Sequence, residues 1–311
     1  MLRRSPGLSD LSVSPLSFGG NVFGWTADEK NSFAILDAYV NGGGNFIDTA
    51  DVYSVGQSES ILGRWMSDRK NRDRLIIATK VGSQMGTDAH ARGLSQQYIL
   101  KEVEDSLKRL QTDTIDLFQA HIDDPNTPLE ETLEAFAQLM KQGKVRAIGA
   151  SNYSAERLAQ ALEVSEKRGY PRYESLQPWY NLYDRADYET NLEPLCLEKR
   201  LGVIPYYSLA SGFLTGKYRS ENDLSKSARG HGIKKYLNER GFRILQALDD
   251  AAKKHHSTPA QVSLAWLIAR PSITAPIASA TSVEQLKDLV QATKLKLDAS
   301  SIEQLNQAGA W

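Results

Sequence analysis

One pattern recurs along nearly the whole chain: a short apolar strand, a polar or glycine-containing loop, and then an amphipathic helix. Strand-like runs lie at 15–18, 45–48, 75–80, 115–119, 147–150, 175–177, 202–206 and 274–277. Helical patterns lie at 28–41, 58–69, 95–110, 128–142, 154–168, 188–200, 239–270 and 282–292. Eight such units in succession predict an α/β protein with a single (β/α)8 TIM barrel, because a doubly wound sheet normally has fewer strands.

The chain ends and the loops refine this prediction. Residues 1–13 resemble a short hairpin that would close the bottom of the barrel, and an extra C-terminal helix is expected near 298–308. No GxGxxG follows the first strand, which disfavours a Rossmann fold. The tetrapeptide at 127–130 fits a capping box, with proline at the first helical position. We see no linker, so residues 1–311 are expected to form one domain.

Composition excludes several functional classes. Lysine plus arginine (37) nearly balance aspartate plus glutamate (38), so the charge predicts neither nucleic acid nor a membrane surface as a partner. The one cysteine, Cys196, lies in a helix-like stretch and reads as a buried, inert thiol. No run of 18 apolar residues occurs, and the N-terminal twin arginine is followed by Pro, Gly and Asp. These features favour a cytoplasmic protein without a metal site.

Polar residues end six consecutive predicted strands. They are Asp48, Lys80, His121, the pair Ser151 and Asn152, Gln177, and Tyr206. Because the C-terminal ends of barrel strands meet at one rim, these side chains are expected to converge on one pocket. Any one of them taken alone is more often a helix cap or a solvated charge than a catalyst.

The charges of these groups favour one kind of chemistry. A buried Asp48 and a buried Lys80 have to pair, because either charge alone is costly to desolvate. A phenol beside that lysine has its ionised form favoured, so we expect Tyr53 to titrate below about 10. His121 would donate a hydrogen bond to an oxygen that gains negative charge. The set therefore predicts a site that gives a proton to a carbonyl, with the electrons supplied by another group.

With these residues in place, the chain resembles the aldo-keto reductases, a family of (β/α)8-barrel oxidoreductases that use a nicotinamide cofactor. The segment NFIDTADVYSVGQSE (45–59) matches the family signature that carries the catalytic Asp48 and Tyr53. LIIATKVG (75–82) and IDLFQAHIDD (115–124) match the segments of the catalytic Lys80 and His121. The resemblance implies reduction of small aldehydes or ketones, with Tyr53 as the proton donor.

The resemblance also implies a cofactor site. IGASNY (148–153) and LQPWYN (176–181) match the segments in which Ser151, Asn152 and Gln177 hold the carboxamide. VIPYYSLASGFLTGKY (203–218) matches the loop in which Tyr206 stacks under the nicotinamide. Further cofactor contacts are implied at Leu209, Ser211, Lys217, Ser279, Thr281 and Gln285.

Two departures from the family pattern concern this cofactor site. Tyr206-Tyr-Ser-Leu209 replaces the usual Tyr-Ser-Pro-Leu, and the segment after strand 8 lacks the cations often set against a 2′-phosphate. NADPH is therefore expected, with NADH as an alternative.

Other functions stay open at this stage. The same barrel suits a cofactor-binding regulatory subunit with little turnover, as in potassium-channel β subunits, or a lyase that uses Lys80 as a Schiff base. Trp25, Trp179 and Tyr180 are expected to form an aromatic wall for the substrate, although such residues also simply pack a rim. The hydrophilic segment 219–240 is expected to cover the pocket.

Overall fold

The computed structural model describes residues 1–87, 91–227 and 229–311, and only the backbone of His231. Eight strands are present in these ranges. They are β1 Ser17–Gly19, β2 Phe46–Asp48, β3 Ile76–Val81, β4 Ile115–Ala120, β5 Val145–Ser151, β6 Tyr173–Gln177, β7 Gly202–Val203 and β8 Ile277–Ala278. All neighbouring strands pair in parallel, in the order β7-β6-β5-β4-β3-β2-β1-β8.

The ends of this sheet meet and close the barrel. The backbone N–H of Thr274 donates to the carbonyl of Val203 at 2.8 Å, and that of Ile277 donates to Pro205 at 2.9 Å. These bonds join the segment that leads into β8 to β7, and so leave no open edge between them. The predicted (β/α)8 barrel is confirmed.

Ten α-helices surround the sheet in the described part of the chain. They are α1 Glu29–Asn41, α2 Gln57–Arg69, α3 Gln96–Leu110, α4 Leu129–Lys141, α5 Ala155–Arg168, α6 Glu193–Glu198, α7 Glu239–Lys254, α8 Pro259–Ala269, α9 Val283–Gln291 and α10 Ala299–Ala308. The buried faces of these helices pack against the outside of the strands and form the larger apolar core, and a smaller apolar cluster fills the barrel itself. None of the described helices is both long and apolar enough to cross a bilayer.

The first 13 residues close the bottom of the barrel, as expected. Arg4 and Val13 exchange two backbone hydrogen bonds of 2.9 and 2.8 Å, and Leu11 and Val13 belong to the cluster inside the barrel. The Arg4 guanidinium also donates to the carbonyls of Ile268 and Ile273, both at 2.8 Å. The hairpin turns at Gly7, where φ is +64° and a Cβ would lie 2.3 Å from the Glu174 carbonyl oxygen.

Two helix predictions were wrong in detail. The pattern at 239–270 is two helices, because Pro259 has no N–H and starts a new helix whose N-cap, Thr258, accepts from the Gln261 N–H. The capping box at 127–130 does not form. Helix α4 begins at Leu129, and the Thr127 hydroxyl donates instead to Asp124 at 2.7 Å.

Candidate active site

A cavity of about 950 Å³ opens at the C-terminal end of the strands, within the size range of small-molecule sites. Most of the residues expected at the site line it, although they come from six different strand ends. They are Asp48, Tyr53, His121, Ser151, Asn152, Gln177, Tyr206, Leu209, Ser211, Lys217, Ser279, Thr281 and Gln285. The barrel thus brings together groups that are up to 237 positions apart in the chain, from Asp48 to Gln285.

Lys80 lies behind this cavity wall and is bonded on three sides. Its Nζ donates to Asp48 Oδ2 at 2.7 Å, to the Thr49 carbonyl at 2.7 Å and to the Tyr53 hydroxyl at 3.3 Å. Lys80 and Asp48 are 0% and 2% exposed, so the expected buried pair is present. Burial alone would lower the pKa of Lys80, but the adjoining Asp48 carboxylate and Tyr53 hydroxyl together outweigh burial and raise that pKa above its ordinary value.

Tyr53 does not have the lowered pKa that we expected. Burial raises the pKa of Tyr53 above 10, and the opposing effect of the Lys80 cation is too small to reverse this, in part because Asp48 also raises it. Considering the cation without the desolvation and the second charge made the prediction wrong. At neutral pH the phenol therefore carries its proton, as a proton donor must.

His121 is the other ring at the floor of the cavity. It meets Tyr53 edge to face, with 6.0 Å between ring centroids. Burial and the nearby Lys80 cation lower the pKa of His121 to about 3, so its imidazole is neutral at physiological pH. Its Nδ1 is buried and has no hydrogen-bond partner among the described residues. A neutral imidazole can still donate one N–H to an oxygen bound in the cavity.

The residues expected to hold a carboxamide form one connected row. Ser151 Oγ donates to the Gln177 carbonyl at 2.9 Å, and Asn152 Nδ2 donates to the His121 carbonyl at 3.0 Å. Gln177 Nε2 donates to Asp48 Oδ1 at 2.8 Å, which connects this row to the buried ion pair. The Tyr206 hydroxyl donates to Asn152 Oδ1 at 2.6 Å and fixes its ring above the row. These bonds position the amides before any ligand binds.

The loop after β7 has a backbone suited to an anion. Ala210, Ser211 and Gly212 have φ values of 48°, 56° and 96°, and they follow Leu209 at φ −108°. The N–H groups of Ala210 and Gly212 donate to the carbonyls of Tyr207 and Leu209 at 2.7 and 2.8 Å, which leaves the Ser211 N–H as the backbone group of this turn that can bind a phosphate-like oxygen. Lys217 lies on the same cavity wall.

At the far end of the cavity, hydroxyl and amide groups are already paired. Ser279 Oγ donates to Asn21 Oδ1 at 2.6 Å, and Gln285 Oε1 accepts from the Thr281 N–H at 2.9 Å. Asp288 of α9 adds a carboxylate, which accepts from Gln261 Nε2 at 2.6 Å and from Thr258 Oγ1 at 3.1 Å.

None of Trp25, Trp179 and Tyr180, the residues of the predicted aromatic wall, lines the cavity. Trp25 and Trp179 are 54% and 40% exposed, and Trp179 packs against Tyr207, which does line the cavity. Tyr180 is fully buried away from the cavity, with its hydroxyl donating to Glu189 at 2.6 Å. Trp179 and Tyr180 point to opposite sides because they are neighbours on an extended segment, so only one of them can face the rim.

Asn21, Lys226, Arg229 and Asp288 also line the cavity, although the sequence did not single them out as individual site residues. Lys226 and Arg229 come from the segment 219–240, in which residue 228 lies outside the described residues. The Arg229 guanidinium lies over the Trp25 ring at 5.3 Å. The sequence carries no periodicity there that would orient these side chains. Asp288 did have a signal, because it lies one helical turn after the expected Gln285.

Comparison with known proteins agrees with this geometry. Residues 15–310 match the model of the aldo/keto reductase family. The "Uncharacterized oxidoreductase YrpG" of Bacillus subtilis (strain 168) is 36% identical, with 96% of this chain and 93% of that protein covered. The "Aldo-keto reductase YhdN" of the same organism is 33% identical, with 96% and 89% covered.

A third relative is named for a different role. The "Probable voltage-gated potassium channel subunit beta" of Oryza sativa subsp. japonica is 33% identical, with 94% of this chain and 91% of that protein covered. The family match spans nearly the whole barrel, including every strand that contributes to the cavity. The chain therefore belongs to the aldo/keto reductase family.

Proposed function

We propose that the protein is an NAD(P)H-dependent reductase that converts small aldehydes or ketones to alcohols. The observation that carries the proposal is the contact between the Tyr53 hydroxyl and Lys80 Nζ, at 3.3 Å, on the floor of the cavity. It sets a protonated phenol beside a fixed cation, at the place where a carbonyl oxygen would acquire negative charge. A cytoplasmic location and a small-molecule carbonyl substrate as the partner stay predictions.

Each polar group has a distinct role in this proposal. A nicotinamide held in the cavity would supply the hydride for the carbonyl carbon. Tyr53 gives its proton to the carbonyl oxygen, and the Lys80 cation stabilises the phenolate that remains. Asp48 keeps Lys80 charged and in place through their 2.7 Å bond. His121, neutral because burial and Lys80 lower its pKa to about 3, donates a hydrogen bond that orients the carbonyl oxygen.

The cavity fits a nicotinamide dinucleotide. Ser151, Asn152 and Gln177 would hold the carboxamide, and Tyr206 would stack on the ring. The left-handed turn at 210–212 would hold the pyrophosphate. Ser279, Thr281 and Gln285 would contact the adenosine end of the dinucleotide. The negative charge of Asp288 disfavours a 2′-phosphate there, whereas the positive charges of the cavity-lining Lys226 and Arg229 favour one. We propose NADPH as the leading cofactor, with NADH accepted.

The two alternative functions differ in their support. Lys80 is 0% exposed and all three of its protons are directed at protein oxygens, which disfavours a Schiff base. A regulatory subunit with little turnover has some support from the rice relative. The turnover number distinguishes the two functions, because a regulatory subunit would bind the cofactor and reduce little or no carbonyl substrate.

A cofactor and substrate panel tests the proposal. Aldehydes and ketones are offered with NADPH and NADH, and oxidation is followed at the nicotinamide absorbance. Tyr53→Phe is expected to lower kcat by at least about 10², the lower value for general acid catalysis, with little change in cofactor affinity.

Tyr170→Phe is the matched control, because Tyr170 lies in the loop before β6, at the opposite end of the barrel, and is not part of the cavity wall. It should keep native turnover. Near-native turnover in Tyr53→Phe would exclude the proposed proton donor. Tight dinucleotide binding without turnover on any carbonyl would favour the regulatory subunit.

A further inference from the structure

Asp51 is a fully buried carboxyl group that the proposed mechanism does not use. It lies three residues after Asp48, in the loop between β2 and α2, and is 0% exposed. Its Oδ1 accepts from the Val52 N–H at 2.6 Å, whereas its Oδ2 has no hydrogen-bond partner among the described residues. An ionised carboxylate in such a position lacks both water and partners, which is costly.

The charges around Asp51 do not compensate it. Glu59 of α2, also 0% exposed, accepts from Arg109 Nε and from the Thr79 hydroxyl. Glu102 of α3, 3% exposed, accepts from Nη2 of the same guanidinium. Arg109 therefore already serves two carboxylates, and it makes no bond to Asp51. Three buried acids share one cation, so one of the three is best accommodated with a proton.

The remaining titratable neighbours do not change this balance. The Tyr98 hydroxyl of α3 is buried and without a partner among the described residues, and burial raises its pKa. On the other side, the Lys80 cation is bonded to Asp48, Thr49 and Tyr53. Burial and the nearby Glu59 and Glu102 carboxylates raise the pKa of Asp51 to about 8, which agrees with the geometry.

Asp51 is also tied to the loop that carries Tyr53. Its Oδ1 accepts from the N–H of Val52, which is the residue before Tyr53. The Tyr53 N–H donates to the Ala50 carbonyl at 3.2 Å. The following residues Ser54 and Val55 have positive φ values of 50° and 54°, which non-glycine residues rarely adopt. The buried carboxyl thus anchors the backbone directly before the candidate proton donor, and the strained residues follow directly after it.

We propose that Asp51 is a positioning residue that carries a proton in the folded protein at neutral pH, and that its ionisation at alkaline pH destabilises the turn bearing Tyr53. A neutral Asp51 leaves Lys80 and Asp48 as the nearest charges acting on the phenol. An ionised Asp51 adds a negative charge, which makes Tyr53 a weaker acid and favours opening of the turn to water. The effect on Tyr53 rests on the proposed function, whereas the buried proton does not.

The sign of the pH dependence follows from linkage. A buried acid with a raised pKa contributes stability that is complete below its unfolded pKa, near 3.9, and is lost as pH rises through its folded pKa. Asp51→Asn keeps the shape and cannot ionise. The ratio of the unfolding constants of wild type and Asp51→Asn should therefore rise by about tenfold per pH unit between pH 5 and pH 7.

Denaturant unfolding of the full chain from pH 5 to pH 9 measures this ratio, and any purely structural cost of the variant appears as a constant offset. The exposed Asp73→Asn is the matched control and should leave the ratio flat. Should Asp51→Asn fail to fold, the infrared carbonyl band of a protonated carboxyl in the wild type, lost as pH passes about 8, tests the same proton.

The outcomes for the buried proton can be told apart from those for the role of Tyr53. A ratio of unfolding constants that stays flat with pH for Asp51→Asn overturns the proposal. The proposal is also overturned if the pH dependence of the free energy of unfolding persists in Asp51→Asn and disappears in Glu102→Gln, since the proton would then reside on Glu102. For Tyr53, wild-type turnover should fall reversibly as pH rises above about 8, and Asp51→Asn should move that fall to higher pH. A protein without carbonyl turnover fails the proposed function and still permits the stability test.

Discussion

At the scale of single residues, the site depends on how burial changes ionisation. Lys80 and Asp48 are buried as an ion pair, with 2.7 Å between Nζ and Oδ2. Tyr53 and His121 are neutral because desolvation opposes the charged form of each ring. The floor of the cavity is therefore one ion pair with two neutral proton carriers beside it.

Breaking that ion pair should be costly. Lys80→Met leaves Asp48 buried without its cation, and removing one partner of a buried pair typically destabilises by about 3–5 kcal/mol. Lys101→Met is the control, because Lys101 pairs with Asp105 while 67% exposed, and exposed pairs contribute about 0–1 kcal/mol. Denaturant unfolding measures both. An unchanged free energy of unfolding in Lys80→Met would mean that the Asp48 carboxylate is solvated.

His121 should make the fold sensitive to acid. Its folded pKa of about 3 lies below the ordinary value of 6.5, so the unfolded chain binds the proton first and stability falls as pH drops from 6.5 toward 3. The loss approaches about 1.4 kcal/mol per pH unit. His121→Asn should remove this part of the acid loss, whereas His256→Asn, at an exposed position, should not. Parallel acid profiles for wild type and His121→Asn would refute the assignment.

At the scale of elements, the short connection between α7 and α8 links stability to the cavity. Thr258 caps α8 by accepting from the Gln261 N–H, and its hydroxyl also donates to Asp288. Both Thr258 and Asp288 line the cavity. One hydroxyl therefore caps the start of α8 and orients a carboxylate of α9.

Thr258→Ala should show both functions. Loss of an N-cap typically costs about 1 kcal/mol, so the free energy of unfolding should fall by that amount. The KM for NADPH should change too, because Asp288 loses a donor. Ser95→Ala removes the cap of α3, which lies outside the cavity wall, and should reduce stability alone. Equal KM values in both variants would place the dinucleotide away from Asp288.

At the scale of the whole molecule, the cavity collects charges of both signs from distant segments. Lys217, Lys226 and Arg229 follow β7, whereas Asp288 belongs to α9 after β8. This mixture argues for a moderate preference between the two dinucleotides. A charge-assisted hydrogen bond contributes about 1.5–3 kcal/mol, and each 1.4 kcal/mol is about tenfold.

We expect NADP⁺ and NAD⁺ each to raise the Tm, with NADP⁺ the stronger, because ligands that bind only the folded state stabilise it. The ratio of kcat/KM for NADPH over NADH should stay below about 10³. Arg229→Gln should reduce the NADP⁺ shift, and Arg168→Gln, at an exposed position on α5, should not. Absence of any shift would show that the cavity does not bind a dinucleotide, and a ratio well above 10³ would mean that cations outweigh Asp288.

The sequence by itself determined the barrel and the identity of the candidate catalytic groups. Strand and helix periodicity depends on neighbours a few positions away, so eight βα units could be read directly. The residues Asp48, Tyr53, Lys80 and His121 followed from strand ends and from a family resemblance. The break at Pro259 was also readable and was overlooked.

Only the tertiary structure decided the ionisation of these groups and the far wall of the cavity. The pKa of Tyr53 depends on burial by many distant atoms as well as on Lys80, and burial prevailed. Tyr180 faces the core and Trp179 faces the rim. Alternation along the segment shows that the two side chains point to opposite sides, but not which of them faces the core. Arg229 and Asp288 are remote in the chain, and the fold brings both to the wall of the same cavity. The proton proposed on Asp51 depends on two helices that bring Glu59, Glu102 and Arg109 around it. Desolvation and convergence are properties of the closed barrel, because they sum contacts between segments that are remote in the chain.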